Sequence, residues 1–294
     1  MQVSSNIREF NARESEKTTK SIKRSLTKTE ILRLILNIIV VIFVLFPIIY
    51  AFVMSVKPSH ELYDKTFFTA HPTLDNYKDV FKIAPIEGYI INSLIVAVII
   101  TVFQMVTAIL SAFALHFLNF KKKGLLFAII MATTMIPGET TIISNFLMIS
   151  GWGFTDSFFG LVAPYLTSAM GIFLFRQAFK SFPMEIYEAS KIDGASDLGF
   201  IFRILIPLSK PTIGALAVQS FLGAWNMYMW PLLITGSDRY RTVQIGISML
   251  NSADSQSMLL MIAGVVVCMI PSLIIFMFAQ KNMVKGLTTG AVKG

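Results

Sequence analysis

Hydrophobic residues dominate the chain in long runs that short polar segments interrupt. A helix needs about 20 mainly apolar residues to cross the hydrocarbon core of a bilayer. Six runs meet this length, at residues 34–56, 89–118, 125–148, 157–180, 208–235 and 257–280. The pattern therefore predicts an all-α integral membrane protein with six transmembrane helices.

Two of the six runs need comment. The third contains Pro137-Gly138-Glu139, and proline inside a helix removes a hydrogen bond and clashes with the preceding turn, so this helix should break or kink there. The first follows about thirty polar residues, is long, and lacks a small-residue cleavage site, so it is not expected to be a cleaved signal peptide.

The distribution of Lys and Arg predicts the orientation. If the N-terminus lies in the cytoplasm, 19 of the 25 basic residues fall in cytoplasmic segments and 6 fall in outer loops. Cytoplasmic segments carry such an excess in membrane proteins. We therefore expect a cytoplasmic leader at 1–33, a six-helix membrane domain at 34–280 and a cytoplasmic tail at 281–294.

Composition supports this class. Hydrophobic residues make up 54% of the chain and charged residues 14%, whereas soluble domains carry about 25% charged residues. The net charge of +8 could indicate nucleic acid, but the positive-inside bias already accounts for it, and no nucleic-acid partner is expected. The single cysteine, Cys268, lies in an apolar run and is expected to be a packing residue.

A polar segment, 181–211, separates the fourth and fifth runs and reads as two short helices joined at a turn. Pro183 suits the start of the first helix, and Gly194 suits a left-handed turn after it. Ser196 or Asp197 can cap the second helix. The first helix has one apolar and one charged face, which fits either docking into a groove on another protein or an ordinary solvated loop.

The spacing within this segment resembles a known motif. Glu188-Ala189-Ser190, three residues, Gly194, nine residues and Ile204-Leu205-Ile206-Pro207 resemble the EAA loop of binding-protein-dependent ABC importer permeases, E-A-A-x3-G-x9-I-x-L-P. Ser190 stands where the pattern has Ala, and Ile206 stands where it has Leu. Both departures are mild.

Further motifs resemble the maltose-type, carbohydrate branch of this family and its MalG-like second permease subunit. They are Ser55-Val56-Lys57-Pro58, Asn76-Tyr77, Asn92-Ser93-Leu94, Trp225-Asn226, Trp230-Pro231-Leu232 and the tail 285-KGLTTGAVKG-294. The run 172-IFLFRQAF-179 also resembles the branch that imports sn-glycerol-3-phosphate, so both solutes stay open.

The resemblance implies a MetI-like permease core in the plasma membrane, with both termini in the cytoplasm. It implies pairing with a second, different permease subunit as a heterodimer, two ATPase subunits and an extracytoplasmic solute-binding protein that delivers a sugar-like solute. The loop at 181–207 would couple to the ATPases through Glu188, Ala189, Ser190, Asp193, Gly194, Ile204 and Pro207. The tail would contact the ATPases through Gly290, Lys293 and Gly294.

The chain itself is not expected to be an enzyme. It contains no G-x4-G-K-[ST] phosphate loop, so ATP and Mg²⁺ are expected on the partner ATPase and no cofactor on this chain. Three His and one Cys give no visible metal-ligand spacing, so no metal site is expected.

Polar residues inside the runs are candidates for a translocation path. Gln104 and Thr107 share one helical face, and Gln219, Gly223 and Asn226, continued by Trp230, share another. Such residues should avoid lipid, either lining a wet path or bonding between helices. Glu139 could face that path or lie at the outer boundary. Trp225 beside Asn226 could stack on a sugar ring.

Two other classes compete with an ABC permease. An ion-driven secondary transporter should show ionisable residues at mid-membrane and an internal repeat, and the runs offer Glu139 at most. A membrane-embedded enzyme or scaffold should show clustered His, Asp or Glu within the runs, and none is visible.

Overall fold

The computed structural model describes residues 28–64, 66–250 and 256–291, and all the regular secondary structure in these ranges is helical. The helices of eleven or more residues are α1 (Lys28–Ser55), α3 (Ile86–His116), α4 (Lys123–Thr133), α5 (Gly138–Gly151), α7 (Ala169–Phe179), α11 (Lys210–Trp225) and α14 (Gln256–Ala291). The shorter ones are α2 (Asp75–Ile83), α6 (Phe158–Val162), α8 (Met184–Ile192), α9 (Asp197–Phe200), α10 (Ile206–Leu208), α12 (Met229–Ile234) and α13 (Val243–Met249). Short 3₁₀ turns occupy Ser59–Glu61 and Ala163–Tyr165, and a π-helical turn occupies Ile201–Leu205.

The chain divides into two compact units, Met1–Ala51 and Phe52–Gly294. The described part of the first unit is the long apolar portion of α1, which contains Pro47. The second unit holds all the other described helices and both hydrophobic clusters.

Three described helical segments are long and apolar enough to cross a membrane singly: α1, α3 and Met258–Met277 within α14. Three further pairs qualify only if each bent pair is one span. They are α4 with α5, bent by 95°, Phe158–Tyr165 with α7, bent by 47°, and Asp197–Leu208 with α11, bent by 85°. By length and composition, the described residues therefore contain three candidate spans, or up to six if each bent pair is one span.

The break predicted at Pro137 is confirmed, because α4 ends at Thr133 and α5 begins at Gly138. The runs 157–180 and 208–235, expected as continuous helices, are each interrupted. Ser168 begins α7 by accepting a hydrogen bond on Oγ from the Gly171 amide, and the fifth run stops at Trp225 and resumes at Met229. Pro164 lies in the turn that interrupts the run 157–180, whereas no proline marks the stop at Trp225, and hydrophobicity alone carries no signal for such a break.

Helix α3 is central to the second unit and packs against α7 and α11, while α11 also packs against α14. The contact is close at Gly171, where an added Cβ would lie 3.0 Å from Leu216 Cδ2 and 3.2 Å from Ala108 Cβ. Small residues let membrane helices approach closely and gain van der Waals contact. The interface therefore depends on the absence of a side chain at Gly171.

Hydrogen bonds from two other parts of the chain hold the segment between α12 and α13. The Asn92 side-chain amide donates to the carbonyls of Arg239 and Arg241, both at 2.9 Å. The Asp156 carboxylate accepts from the Gly236 and Ser237 amides at 3.0 Å. A hydrogen bond from the Ser237 side chain, and then these amide bonds, hold its pKa below the usual range. The loop is thus fixed to α3 and to the segment before α6.

Candidate functional site

The segment predicted as two helices and a turn has that structure. Helix α8 runs from Met184 to Ile192, and Pro183 lies just before it as the N-cap rather than inside it. Gly194 has φ of +79°. Its amide bonds to the Lys191 carbonyl at 3.0 Å, and the Ala195 amide bonds to the Ser190 carbonyl at 2.9 Å. This pair of bonds is the Schellman ending of a helix, which favours glycine because its left-handed residue carries no Cβ.

Helix α9 begins at the residue after Ser196. The Ser196 hydroxyl oxygen accepts a hydrogen bond from the Gly199 amide at 3.1 Å, so Ser196 rather than Asp197 is the cap. This leaves the Asp197 carboxylate free to bond elsewhere, and it receives the Tyr187 hydroxyl at 2.8 Å and the Lys191 ammonium at 2.6 Å. We call Tyr187, Lys191 and Asp197 the loop clasp.

The loop clasp shifts the pKa values of two of its members in opposite directions. Hydrogen bonds from Lys191 and Tyr187 lower the pKa of Asp197. Desolvation, and then the hydrogen bond to the Asp197 carboxylate, raise the pKa of Tyr187 to about 12. The neutral phenol and the charged carboxylate are therefore both favoured at neutral pH, which is the combination that the bond between them requires.

The Tyr187 ring joins α8 to the membrane helices. Its centroid lies 5.0 Å from Phe200, 5.2 Å from Phe117 and 5.9 Å from Phe113. Phe117 and Phe113 belong to the end of α3, and Phe200 ends α9. Edge-to-face and tilted aromatic pairs at these separations are attractive, so α8, α9 and the end of α3 form one packed cluster.

The outward side of α8 has no cover in the described chain. Glu188, Ala189, Asp193 and Gly194 are exposed, and Ile192 is 87% exposed. Ser190 is buried, and its hydroxyl donates to the Tyr187 carbonyl at 2.7 Å. The hydroxyl that distinguishes Ser190 from alanine is therefore satisfied within its own helix.

The end of the predicted loop is an elbow. Ile204 lies in the π-helical turn and packs, half-buried, against the aromatic cluster, while Pro207 in α10 is exposed. Ser209 follows, and the chain bends by 85° into α11. We call the segment from α8 to α10, which contains the motif residues Glu188 and Pro207, the bracket.

The polar residues of the second run bond to a neighbouring helix break. Gln104 Nε2 donates to the Tyr165 carbonyl at 2.8 Å, and Gln104 Oε1 accepts from the Ser220 hydroxyl at 2.6 Å. Thr107 Oγ1 is 3.3 Å from the Leu166 carbonyl. A broken helix in a membrane needs such partners for its freed carbonyls, so both side chains support the bend before α7.

A cavity of about 210 Å³ lies beside this network. Its lining includes Gln104, Gln219, Ser220 and Gly223. Three of the residues predicted from helical periodicity therefore come together at one cavity between α3, α7 and α11.

Asn226 does not continue this face, and the prediction of a single stripe through Asn226 and Trp230 is wrong. Helix α11 ends at Trp225 with Asn226 as its C-cap, so helical spacing does not extend to Trp230. Asn226 instead lines a second cavity of about 350 Å³ with Gln244 and Ser272. Gln244 Nε2 lies 3.3 Å from Asn226 Oδ1.

The tryptophans are structural in this arrangement. Trp225 and Trp230 are both almost fully buried. Trp225 Nε1 donates to the Cys268 carbonyl at 3.3 Å, and Trp230 Nε1 donates to the Leu161 carbonyl at 3.1 Å. The expectation that Trp225 offers a ring face for stacking is therefore wrong.

Sequence reasoning missed several polar residues of these sites. Tyr187 belongs to the loop clasp, Ser220 to the first cavity and Gln244 to the second. Asp197 was considered only as a cap. The sequence signal for the Tyr187–Asp197 bond is weak: a tyrosine on the apolar side of a short helix, ten residues before an acid.

Glu139 and the predicted tail residues lie outside the loop clasp and the two cavity linings, or outside the described residues. Glu139 lies exposed in the first turn of α5. Gly290 falls in the last turn of α14, whereas Lys293 and Gly294 lie outside the described residues. Within the described ranges, no three His, Cys, Asp or Glu residues are grouped closely enough to hold a metal ion.

Comparison with known proteins places the chain. The family described as binding-protein-dependent transport system inner membrane component matches residues 104–289. The arabinooligosaccharides transport system permease protein AraQ of Bacillus subtilis is 32% identical over 255 residues, which are 85% of this chain and 91% of AraQ. The sn-glycerol-3-phosphate transport system permease protein UgpE of Pectobacterium atrosepticum is 34% identical over 263 residues, 86% of this chain and 94% of UgpE.

A solved structure agrees in fold. A chain of a bacterial ABC transporter that imports the acidic polysaccharide alginate superposes with a TM-score of 0.78 at 21% identity, covering 88% of this chain and 99% of that chain. The family match spans more than half of the sequence, and both named relatives align over most of their length. The chain therefore belongs to the family of inner membrane components of binding-protein-dependent transport systems.

Proposed function

We propose that this chain is a permease subunit of an ABC importer that moves a carbohydrate-type solute across the plasma membrane. The observation that carries the proposal is the bracket from α8 to α10. It presents exposed Glu188 and Ile192 on a rigid helix whose other side is packed on α3. A surface of this kind suits docking into a groove of a soluble partner.

In this proposal α8 is the coupling helix. Glu188 meets a basic group of an ATPase subunit, and Gly194 permits the turn that brings α9 back to the membrane. Asp193, Ile204 and Pro207 complete the bracket, and Ala189 and Ser190 shape its packing. The loop clasp and the aromatic cluster make the bracket stiff, so that a push on α8 moves the end of α3.

Six spans are proposed, with each bent helix pair as one span and both termini in the cytoplasm. Support comes from the three pairs that qualify together by length and composition and from the 19 to 6 division of basic residues that this orientation gives. The coupling loop then lies between spans four and five. Gly290, Lys293 and Gly294 form part of the tail that contacts the ATPases.

The proposed assembly contains a second, different permease, two ATPase subunits and an extracytoplasmic solute-binding protein. ATP and Mg²⁺ bind the ATPase subunits, so this chain is non-catalytic and holds no cofactor. The last partner is supported by the solved structure of a bacterial alginate ABC transporter in complex with an alginate pentasaccharide-bound periplasmic protein. The path runs past Gln219 and Gly223, with Asn226 at the second cavity.

A second candidate solute is sn-glycerol-3-phosphate. It is favoured by the UgpE relatives, which align over 94% of their length. The AraQ relative supports an oligosaccharide equally well. A binding screen on the solute-binding protein, with arabinooligosaccharides and sn-glycerol-3-phosphate as ligands, distinguishes the two.

The function is tested by uptake into proteoliposomes that contain the assembled transporter. We expect uptake to require internal ATP and the solute-binding protein, and the permease to copurify with an ATPase subunit. Uptake that persisted without any ATPase, but collapsed when the proton gradient was dissipated, would replace the proposal with an ion-driven carrier.

A further inference from the structure

A group of basic side chains, without acidic partners among the described residues, lies where α3 and α7 end and α4 begins. Arg176 is near the end of α7, His116 is at the end of α3, and Lys123 begins α4. The charges of Arg176, Lys123 and Lys180 all act electrostatically on His116. Lys121 and Lys122 extend the same positive surface along the turn between α3 and α4.

Arg176 is the best-positioned cation of the group. Its guanidinium carbon lies 4.0 Å above the centre of the Phe127 ring, which orients the group through a cation–π contact. Its Nε is buried, and in the described part of the chain nothing accepts a hydrogen bond from it. A buried donor without a partner is costly, so an external acceptor that the guanidinium turns to meet would relieve this cost.

The neighbours of Arg176 are similarly unsatisfied. His116 Nε2 is also buried without a hydrogen-bond partner among the described residues. Lys123 makes one bond, a 3.3 Å contact with the Leu118 carbonyl, which leaves two of its ammonium protons available. No ion pair within 4.0 Å joins Arg176, Lys123 or Lys180 to an acid in the described ranges.

The surface next to these cations is apolar. Phe127 turns toward α7 beneath Arg176, while Leu125, Leu126 and Ile129 on the same helix are 57%, 45% and 56% exposed. In a membrane helix these three side chains suit contact with acyl chains. The cations thus form a multidentate site for an anion at the start of a helix whose other side is an exposed apolar face.

We propose that Arg176, Lys123 and Lys180, with His116, bind the phosphate of an anionic phospholipid whose acyl chains lie along α4. Guanidinium groups match the geometry of phosphate oxygens, and basic pockets between membrane helices on the cytoplasmic side suit acidic headgroups. A free phosphate ion shares the charge but cannot use Leu125, Leu126 and Ile129. The apolar face therefore favours a lipid.

The site lies at the junction of α3 with α7 and near the bracket. A lipid bound there fastens α4 to α7 through the Phe127–Arg176 contact. The assignment of this site to the cytoplasmic leaflet rests on the orientation given under the proposed function, and lipid binding here is independent of the transported solute.

The test uses the assembled transporter in nanodiscs of phosphatidylcholine with or without phosphatidylglycerol, released for native mass spectrometry. The wild type should retain phosphatidylglycerol and not phosphatidylcholine. Arg176→Gln should bind phosphatidylglycerol about fivefold more weakly, the effect of about one interfacial cation. Arg176→Lys keeps the charge but loses the planar set of donors, so its binding should fall between that of the wild type and that of Arg176→Gln. Lys82→Gln, which removes an exposed cation paired with Asp79, is the matched control and should bind like the wild type.

Three outcomes overturn the proposal. They are equal retention of phosphatidylglycerol by Arg176→Gln and wild type, equal loss in Lys82→Gln, and thermal stabilisation of the wild type by inorganic phosphate alone as large as that by phosphatidylglycerol. The first would indicate that Arg176 pairs with an acid of a partner subunit. The third would indicate that the site binds a free anion rather than a lipid. If Arg176→Gln fails to assemble, Lys180→Gln, on an exposed side chain, tests the same prediction of weaker lipid retention.

Discussion

The hydroxyl of Tyr187 donates a hydrogen bond of 2.8 Å to the carboxylate of Asp197 and joins α8 to α9 across the Gly194 turn. The ring of the same tyrosine packs on Phe113 and Phe117 of α3. One side chain therefore links the exposed helix, the return helix and a membrane helix. In the proposed transporter this link carries movement from the ATPases to the permease.

Tyr187→Phe should weaken the bracket while keeping its aromatic packing. The lost hydrogen bond costs about 1 kcal/mol, so amide exchange over 184–200 should speed up several-fold while the rest of the chain is unchanged. Tyr187→Ala removes the ring as well and should cost about 3–5 kcal/mol. Hydrogen exchange on the assembled transporter measures both.

The transport readout separates a linking role from a purely structural one. Tyr187→Phe should lower solute moved per ATP hydrolysed at an unchanged membrane level. Tyr50→Phe, outside the second unit, is the matched control and should leave that ratio unchanged. Equal ratios for Tyr187→Phe and wild type would show that the hydroxyl does not contribute to coupling.

The clasp should be insensitive to pH through the neutral range and fail at its two extremes. The pKa of Asp197 is lowered in the folded chain, so its contribution is present above the ordinary carboxyl pKa and is lost as pH falls through the lowered value. The pKa of Tyr187 is raised to about 12, so its contribution is present below the ordinary tyrosine pKa and is lost as pH rises through about 12. Exchange protection of 184–200, compared with Tyr187→Phe across pH, checks both limits.

Gly194→Pro should abolish coupling without preventing membrane insertion. Proline fixes φ near −65°, whereas Gly194 has φ of +79°, so the turn cannot form. Gly194→Asn is the matched control, because asparagine tolerates the left-handed region better than other residues with a side chain. Uptake and ATP hydrolysis are compared at equal membrane levels.

Normal transport by an assembled Gly194→Pro protein would contradict the assigned role of this turn. A parallel loss of membrane protein would show instead that the turn is needed for folding. The Asn variant distinguishes these results, since it should retain most of the uptake.

Gln104→Leu should destabilise the membrane domain more than it changes solute recognition. The variant leaves the Tyr165 carbonyl without its 2.8 Å donor, a loss of about 1–3 kcal/mol for a buried polar group. Thermal unfolding in detergent measures this loss of stability.

Asn226→Ala should change solute recognition more than stability. Stability should change little because Asn226 is exposed, but the solute concentration for half-maximal uptake should rise.

Asn92→Asp should free the segment between α12 and α13. The aspartate cannot donate to the Arg239 and Arg241 carbonyls, which the native amide reaches at 2.9 Å, and its charge would face two carbonyl oxygens. Limited proteolysis should cut at 236–241 faster than in the wild type. Asn92→Leu removes the bonds without the charge, so an equal rate for the two variants would mean that repulsion contributes nothing.

The sequence by itself predicted the class, the apolar runs, the break at Pro137 and the helix–turn–helix from Pro183 to Asp197. These features depend on local chemistry: apolar length, a missing amide proton, a residue without Cβ and a serine before a helix. Ser190 and Gly194 could be placed because their conformations are set within a few residues.

Only the tertiary structure decided which polar residues meet. Gln104 and Ser220 are 116 positions apart and share a 2.6 Å bond, and Asn226, the C-cap of α11, lines a cavity with Gln244 that helical spacing does not predict. The break after Tyr165 follows Pro164, whereas no proline lies where α11 ends at Trp225. Both breaks are stabilised by distant donors such as Gln104 and Gln244, and a donor's reach is set by helix packing rather than by its position in the chain.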